Sequence, residues 1–117
     1  MIFTGITRTF SLIGEEQYNT IGEFWDEMAD IYGLENLRGL GYNWRCGKMD
    51  YAIGSRSGDI DGCNFSISLP DCGWIRADGK TERLKEMYDE IYKGGALTYE
   101  IETFREDGTC TVIYYRK

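Results

Sequence analysis

Two stretches of this chain repeat one spacing of apolar positions. Ile21, Phe24, Trp25 and Met28 fall at i, i+3, i+4 and i+7, and Leu84, Met87, Tyr88 and Ile91 repeat the pattern 63 residues later. That spacing puts four side chains on one stripe of an amphipathic helix. Thr20 and Glu23 form a capping box that predicts the start of the first helix, and Gly33 is placed to end it in a left-handed conformation. The second helix is expected over 81–92, closed by Gly94 and Gly95. Elsewhere the period falls to two. Residues 2–13 alternate loosely and read as a strand, and 40–44 and 49–55 read as short strands around Cys46-Gly47-Lys48. Phe65, Ile67 and Leu69 alternate with Ser before Pro70 interrupts, and the strand is expected to resume over 74–77. Residues 98–105 and 110–116 read as two strands joined through Asp107-Gly108, a hairpin whose two turn positions would both take positive φ. Residues 57–64, rich in Gly and Asp, read as a loop.

The resulting order is strand, helix, strand, strand, twice over. It predicts an α+β fold of one domain, 1–117, built from duplicated units over about 1–56 and 65–117, with an antiparallel sheet and two helices. Coincidence is the alternative to duplication, since any two amphipathic helices match at some offset. A seam between paired units is a favoured place for a central ligand cleft.

Composition narrows the functions. The chain has 117 residues, a net charge of −7 and no His. No Lys/Arg cluster is denser than Arg116-Lys117, so direct nucleic-acid binding is not expected. The acidity favours neutral or cationic partners. Without His, the Ser-His-Asp and Cys-His arrangements and most zinc sites are excluded. Cys46, Cys63, Cys72 and Cys110 show no Cys-x-x-Cys spacing, so neither a structural metal nor a redox motif is expected, and no cofactor is implied. No secretory leader or membrane span is evident, which predicts a cytoplasmic protein with reduced thiols, mostly packed as small core hydrophobes. Asp59-x-Asp61 is a faint calcium-loop pattern without the closing glutamate. Glu15-Glu16 and Lys48-Met49-Asp50 read as solvated loop charges.

Aromatics make up 15% of the chain, a high share that reads for most of them as an aromatic-rich core, while any excess over the core's needs points to a binding surface. In the last hairpin Glu100, Glu102 and Phe104 share one strand face. A two-residue Asp107-Gly108 turn would set Glu102 opposite Ile113 and Glu100 opposite Tyr115. Glu102 is then either a solvated glutamate or the anionic floor of an aromatic pocket, where it would pair with a cation more strongly than in water. Tyr42, Trp44, Tyr51 and Trp74 form a second aromatic group, with Tyr42 and Trp44 two apart and so on one face. Their alternatives are core packing or cation–π walls. The helical stripes, Trp25 included, read as core.

These residues resemble the GyrI-like small-molecule-binding domains, seen also as bacterial effector-binding domains of MerR- and AraC-type multidrug-responsive activators. Phe10-Ser-Leu-Ile-Gly14 is similar to the family's opening strand and Ile21-Gly-Glu-Phe-Trp25 to its helix start. Gly41-Tyr42, then Met49-Asp-Tyr-Ala-Ile-Gly54, resemble its second and third strands, and residues 70–74 its fourth. Glu102-x-Phe104-x-x-Asp107 is similar to the Glu-x-Tyr-x-x-Asp run that carries the family's ligand-binding glutamate. Three departures stand out. Phe104 replaces the usual Tyr, no Pro occurs in the final strand, and no helix-turn-helix precedes the first strand.

The resemblance implies a stand-alone module for a hydrophobic, cationic small molecule, linked to transcriptional regulation or drug resistance through a separate partner. Its expected ligand-binding residues are Glu102, Trp44, Tyr51, Trp74, Tyr42 and Phe104. Two alternatives stay open. One is a small-molecule hydrolase of the same fold, with Glu102 as general base and Tyr51 as hydrogen-bond donor. The other is a protein-interaction module of the gyrase-inhibitor kind. Binding without turnover is the expectation, because only Glu102 has a motif-level claim and acid–base chemistry usually takes two differently tuned groups.

Overall fold

The computed structural model describes residues 1–15, 17–56 and 60–116. Asp59 and Glu16, named above, lie outside the described residues. The first strand, β1, is Ile2–Ser11, and the first helix, α1, is Gln17–Tyr32. Phe24, Trp25 and Met28 of its stripe are buried. The helix starts before the Thr20 capping box, which therefore lies inside it. Tyr18, in the extra turn, is partly buried against the cluster of Tyr88, Ile91, Leu97 and Val112. Gly33 ends it as expected, with φ 86° and its N–H on the Ala29 carbonyl at 2.8 Å.

Two strands follow, β2 (Leu37–Arg45) and β3 (Lys48–Ser55), then β4 (Phe65–Ser68) and β5 (Ile75–Lys80). The second helix, α2, is Leu84–Tyr92, preceded by a 3-10 turn at Thr81–Arg83, and the chain closes with β6 (Tyr99–Phe104) and β7 (Thr109–Tyr115). All seven strands form one antiparallel sheet in the order β4-β1-β3-β2-β6-β7-β5. In each half a helix leads from an outer strand to an inner one, and the last strand sits between them. The inner strands β2 and β6 pair at the centre. Both helices lie on one face, over a core of Phe10, Phe24, Met28, Leu37, Met49, Ile53 and Cys110. Phe3, Leu40, Ala52, Leu69 and Ile101 pack on the other face. Among the described residues no helix is long and apolar enough to cross a membrane.

Several local expectations are corrected. The strand expected to resume after Pro70 is two strands at opposite edges, β4 against β1 and β5 against β7. Pro70 cannot continue a ladder, and Gly73 at φ 92° turns the chain so that Trp74 packs onto Tyr99 and Tyr115. The final hairpin is one residue out of the expected register: Glu102 faces Val112 and Glu100 faces Tyr114. Its loop is Glu106-Asp107-Gly108, closed by Arg105 N–H on Thr109 O at 3.0 Å. Only Gly108 takes positive φ, 85°, the geometry of a type I turn followed by a left-handed residue. Tyr42 and Trp44 lie on opposite faces, because a bulge with Asn43 at φ 54° intervenes. Asp50 holds that bulge by accepting from Asn43 Nδ2 at 2.8 Å, Arg45 Nη2 at 3.1 Å and Thr9 Oγ1 at 2.6 Å, so it is no free loop charge. Of the cysteines only Cys110 is buried; Cys46, Cys63 and Cys72 are exposed.

Candidate functional site

The central pair β2–β6 carries the chemistry. Alternation puts Glu100, Glu102 and Phe104 on the helix side of β6, with Tyr99 and Ile101 on the reverse. Glu102 sits opposite Gly39 and Glu100 opposite Gly41. Each glycine leaves room that a larger residue would fill. A Cβ on Gly39 would overlap Tyr51 Oη and come within 2.8 Å of Trp25 Cζ2, and a Cβ on Gly41 would lie 2.7 Å from Glu100 Cγ. Two missing side chains on one strand thus let two carboxylates and two rings lie flat over the sheet.

Both glutamates are 4% exposed. Tyr51 Oη, itself accepting from Trp25 Nε1 at 2.9 Å, donates to Glu102 Oε1. Tyr88 Oη donates to Glu102 Oε2 at 2.7 Å. Strand β3 and helices α1 and α2 thus meet on one carboxylate. Tyr92 Oη donates to Glu100 Oε2 at 3.3 Å. Among the described residues no Arg or Lys forms an ion pair with either glutamate.

Burial first, then the charge of Glu102, pushes the Glu100 carboxyl well above the ordinary 4.5. Burial also raises Glu102, but the Tyr51 and Tyr88 hydroxyls oppose it by stabilising the anion. Glu102 therefore has the stronger hydroxyl support for its charged form, with both oxygens accepting from tyrosines. Burial, and then Glu102's charge, raises the Tyr51 phenol well above its usual range, so it remains a donor.

Above the glutamates lies a cavity of about 460 Å³ between the helices and the sheet. Tyr18, Trp25, Tyr51, Tyr88, Tyr92 and Phe104 supply aromatic wall, and Leu12, Ile21, Leu34, Met49 and Leu84 supply aliphatic wall. Trp25 meets Phe104 edge-on at 4.8 Å, and Tyr88 stacks on Tyr92 at 5.6 Å. Arg105, Glu106 and Gly108 of the hairpin loop are also in its lining.

Of the residues singled out from sequence, Glu102, Tyr51 and Phe104 line this cavity together. Tyr42, Trp44 and Trp74 do not. Tyr42 stacks on Phe65 at 4.8 Å, and Trp74 lies 6.3 Å from Tyr99 on the reverse face. Trp44 is on the helix side, packed with the two helical core groups. Trp25 and Tyr88, read from periodicity as core alone, are both core and cavity wall. Sequence reading put Glu100 on the face of Glu102 without assigning it to the site, and gave the glycines of β2 no role in it. The signal for both was available: Gly39 and Gly41 alternate on one strand face, and Glu100 has the parity of Glu102. Among the described residues no group of three or more His, Cys, Asp or Glu is placed to hold a metal ion.

No protein-family model, curated protein or solved structure matches this chain. Function has to be argued from the site itself.

Proposed function

We propose that this chain is a binding module for a hydrophobic, cationic small molecule, with Glu102 as its anionic anchor. One observation carries the reading: a carboxylate 4% exposed faces an aromatic cavity, held by two tyrosine hydroxyls and by no positive side chain among the described residues. An anion in a low-dielectric hollow gains far more from an arriving cation than it would in water. Each ring that faces the cation adds about 0.5–2 kcal/mol of cation–π attraction. The cavity, about 460 Å³, lies in the range of small-molecule sites and selects by shape-tolerant aromatic contact. We read the two halves as copies of one strand–helix–strand–strand unit. Their mirrored strand orders support this, as do Trp25 and Tyr88, which hold the same stripe position in the two helices and both reach the tyrosine–glutamate cluster. The cleft is then the seam between units, in keeping with the resemblance to GyrI-like domains. Such a module acts in regulation or resistance by reporting the bound molecule to a separate protein or by sequestering it.

The test is a melting panel of lipophilic cations against anions of matched shape. Ligand at about a hundred times its dissociation constant should stabilise the fold by roughly 2.7 kcal/mol. Cations should raise the midpoint and anions should not; an unmoved midpoint with every cation rejects the reading.

A hydrolase of small electrophiles is the second reading, and Glu100 favours it. The site holds two buried carboxyls in different environments, both raised by burial, one with its charged form favoured by the Tyr51 and Tyr88 hydroxyls and one raised further by its neighbour's charge. That is the pairing a base and an acid require. Mass spectrometry of esters and strained-ring compounds incubated with wild type and Glu102→Gln separates the readings. Products formed by wild type and lost in the variant establish turnover.

A further inference from the structure

Glu100 is not required to hold Glu102. Tyr51 and Tyr88 already occupy both oxygens of the Glu102 carboxylate. Yet Glu100 is equally buried and lies on the same strand face two residues away, roughly 7 Å along β6. Gly41 leaves it that space. A structural core would favour an apolar residue here, since a buried carboxyl without a strong partner is costly. Tyr92, a residue 42% exposed, donates to Glu100 at 3.3 Å, and the Tyr88 hydroxyl also favours its charged form. The cavity therefore carries two equally buried carboxyls in a row, Glu102 beside Tyr51 and Tyr88 and Glu100 beside Tyr92. Arg105, also in the lining, does not serve as their counter-charge. Its guanidinium donates to Thr109 Oγ1 at 2.8 Å and Thr111 Oγ1 at 3.0 Å.

We propose that the cavity selects dications: diamines or diamidines with an apolar spacer, whose two positive groups reach Glu102 and Glu100 together. The proposal rests on the cation-binding reading above and assigns Glu100 the second contact. A monocation pairs with Glu102 alone and leaves Glu100 without a counter-charge. A dication neutralises both carboxylates, and its spacer lies along the aromatic wall.

The test compares para-xylylenediamine with 4-ethylbenzylamine, in which a methyl group replaces one ammonium, by calorimetry at fixed ionic strength. Wild type should bind the diamine at least about tenfold more tightly, the worth of one charge-assisted contact. Glu100→Gln, which keeps the shape and removes the charge, should bring the diamine's affinity down to that of the monoamine measured in the same variant. Glu102→Gln should weaken both. A diamine bound no better than the monoamine by wild type overturns the proposal without recourse to any variant, as does a preference that survives Glu100→Gln. If the monoamine binds through Glu102 and no diamine preference exists, only this inference falls. If wild type binds neither amine, the cation-binding reading falls with it.

Discussion

Glu102 is held in place by donors that keep it from behaving as an ordinary buried acid. Trp25 Nε1 fixes Tyr51, Tyr51 and Tyr88 bracket the carboxylate, and all four side chains are nearly sealed from solvent. Tyr51→Phe removes a donor from Glu102 and the acceptor of Trp25 without changing shape. Leaving buried polar groups unpaired costs about 1–3 kcal/mol, and denaturant titration should show a loss of that size. The same change should raise the pKa of Glu102, because the hydroxyl that favours its anion is gone. Carbon-13 NMR of the glutamate carboxyl would show the shift, and a pKa that falls or stays fixed would contradict this geometry. Glu102 was legible from its parity and its Glu-x-Phe-x-x-Asp setting. Its partners were not. A stripe at helical spacing says that Trp25 and Tyr88 are buried, but not that the two helices turn them toward one carboxylate.

Among the elements, β2 sets the depth of the site. Gly39 and Gly41 are cut-outs, and filling either pushes a ring or a carboxylate off the sheet. Gly39→Ala should cost about 1–3 kcal/mol by overpacking and should weaken ligand binding as well, since Tyr51 must move. Gly22, in the interior of α1, has nothing within 4 Å of its would-be Cβ. Gly22→Ala should therefore stabilise by about 0.5–1 kcal/mol through helix propensity. Chemical denaturation of the two variants should show opposite signs; equal losses would mean that β2 is not the constraint described here. Element types were readable from periodicity, but their offsets were not. Register in the last hairpin turned on a single extra loop residue, and the face of Trp44 on the Asn43 bulge that Asp50 clamps. Alternation is blind to both, because a one-residue slip reverses every side chain beyond it. The split of β4 from β5 depends on contacts Trp74 makes with strands later in the chain.

For the molecule as a whole, the glutamate pair links stability to pH. Both folded-state values lie above the ordinary 4.5, so the folded protein holds protons that the unfolded chain has released. Stability from these groups is full below the unfolded value and is lost as pH rises through the folded ones. Unfolding titrations above pH 4.5 should show that decline, and Glu100→Gln should flatten it and stabilise the protein at neutral pH. A cationic ligand reverses the dependence by favouring the ionised pair. The central claim is that Glu102 anchors a cation in the aromatic cleft. Calorimetry of one lipophilic cation and its neutral isostere against wild type and Glu102→Gln tests it most directly. A charge-assisted contact of about 1.5–3 kcal/mol predicts a loss of roughly tenfold to a hundredfold for the cation. The neutral isostere should bind weakly and equally to both proteins. Undiminished cation binding by Glu102→Gln would contradict the account.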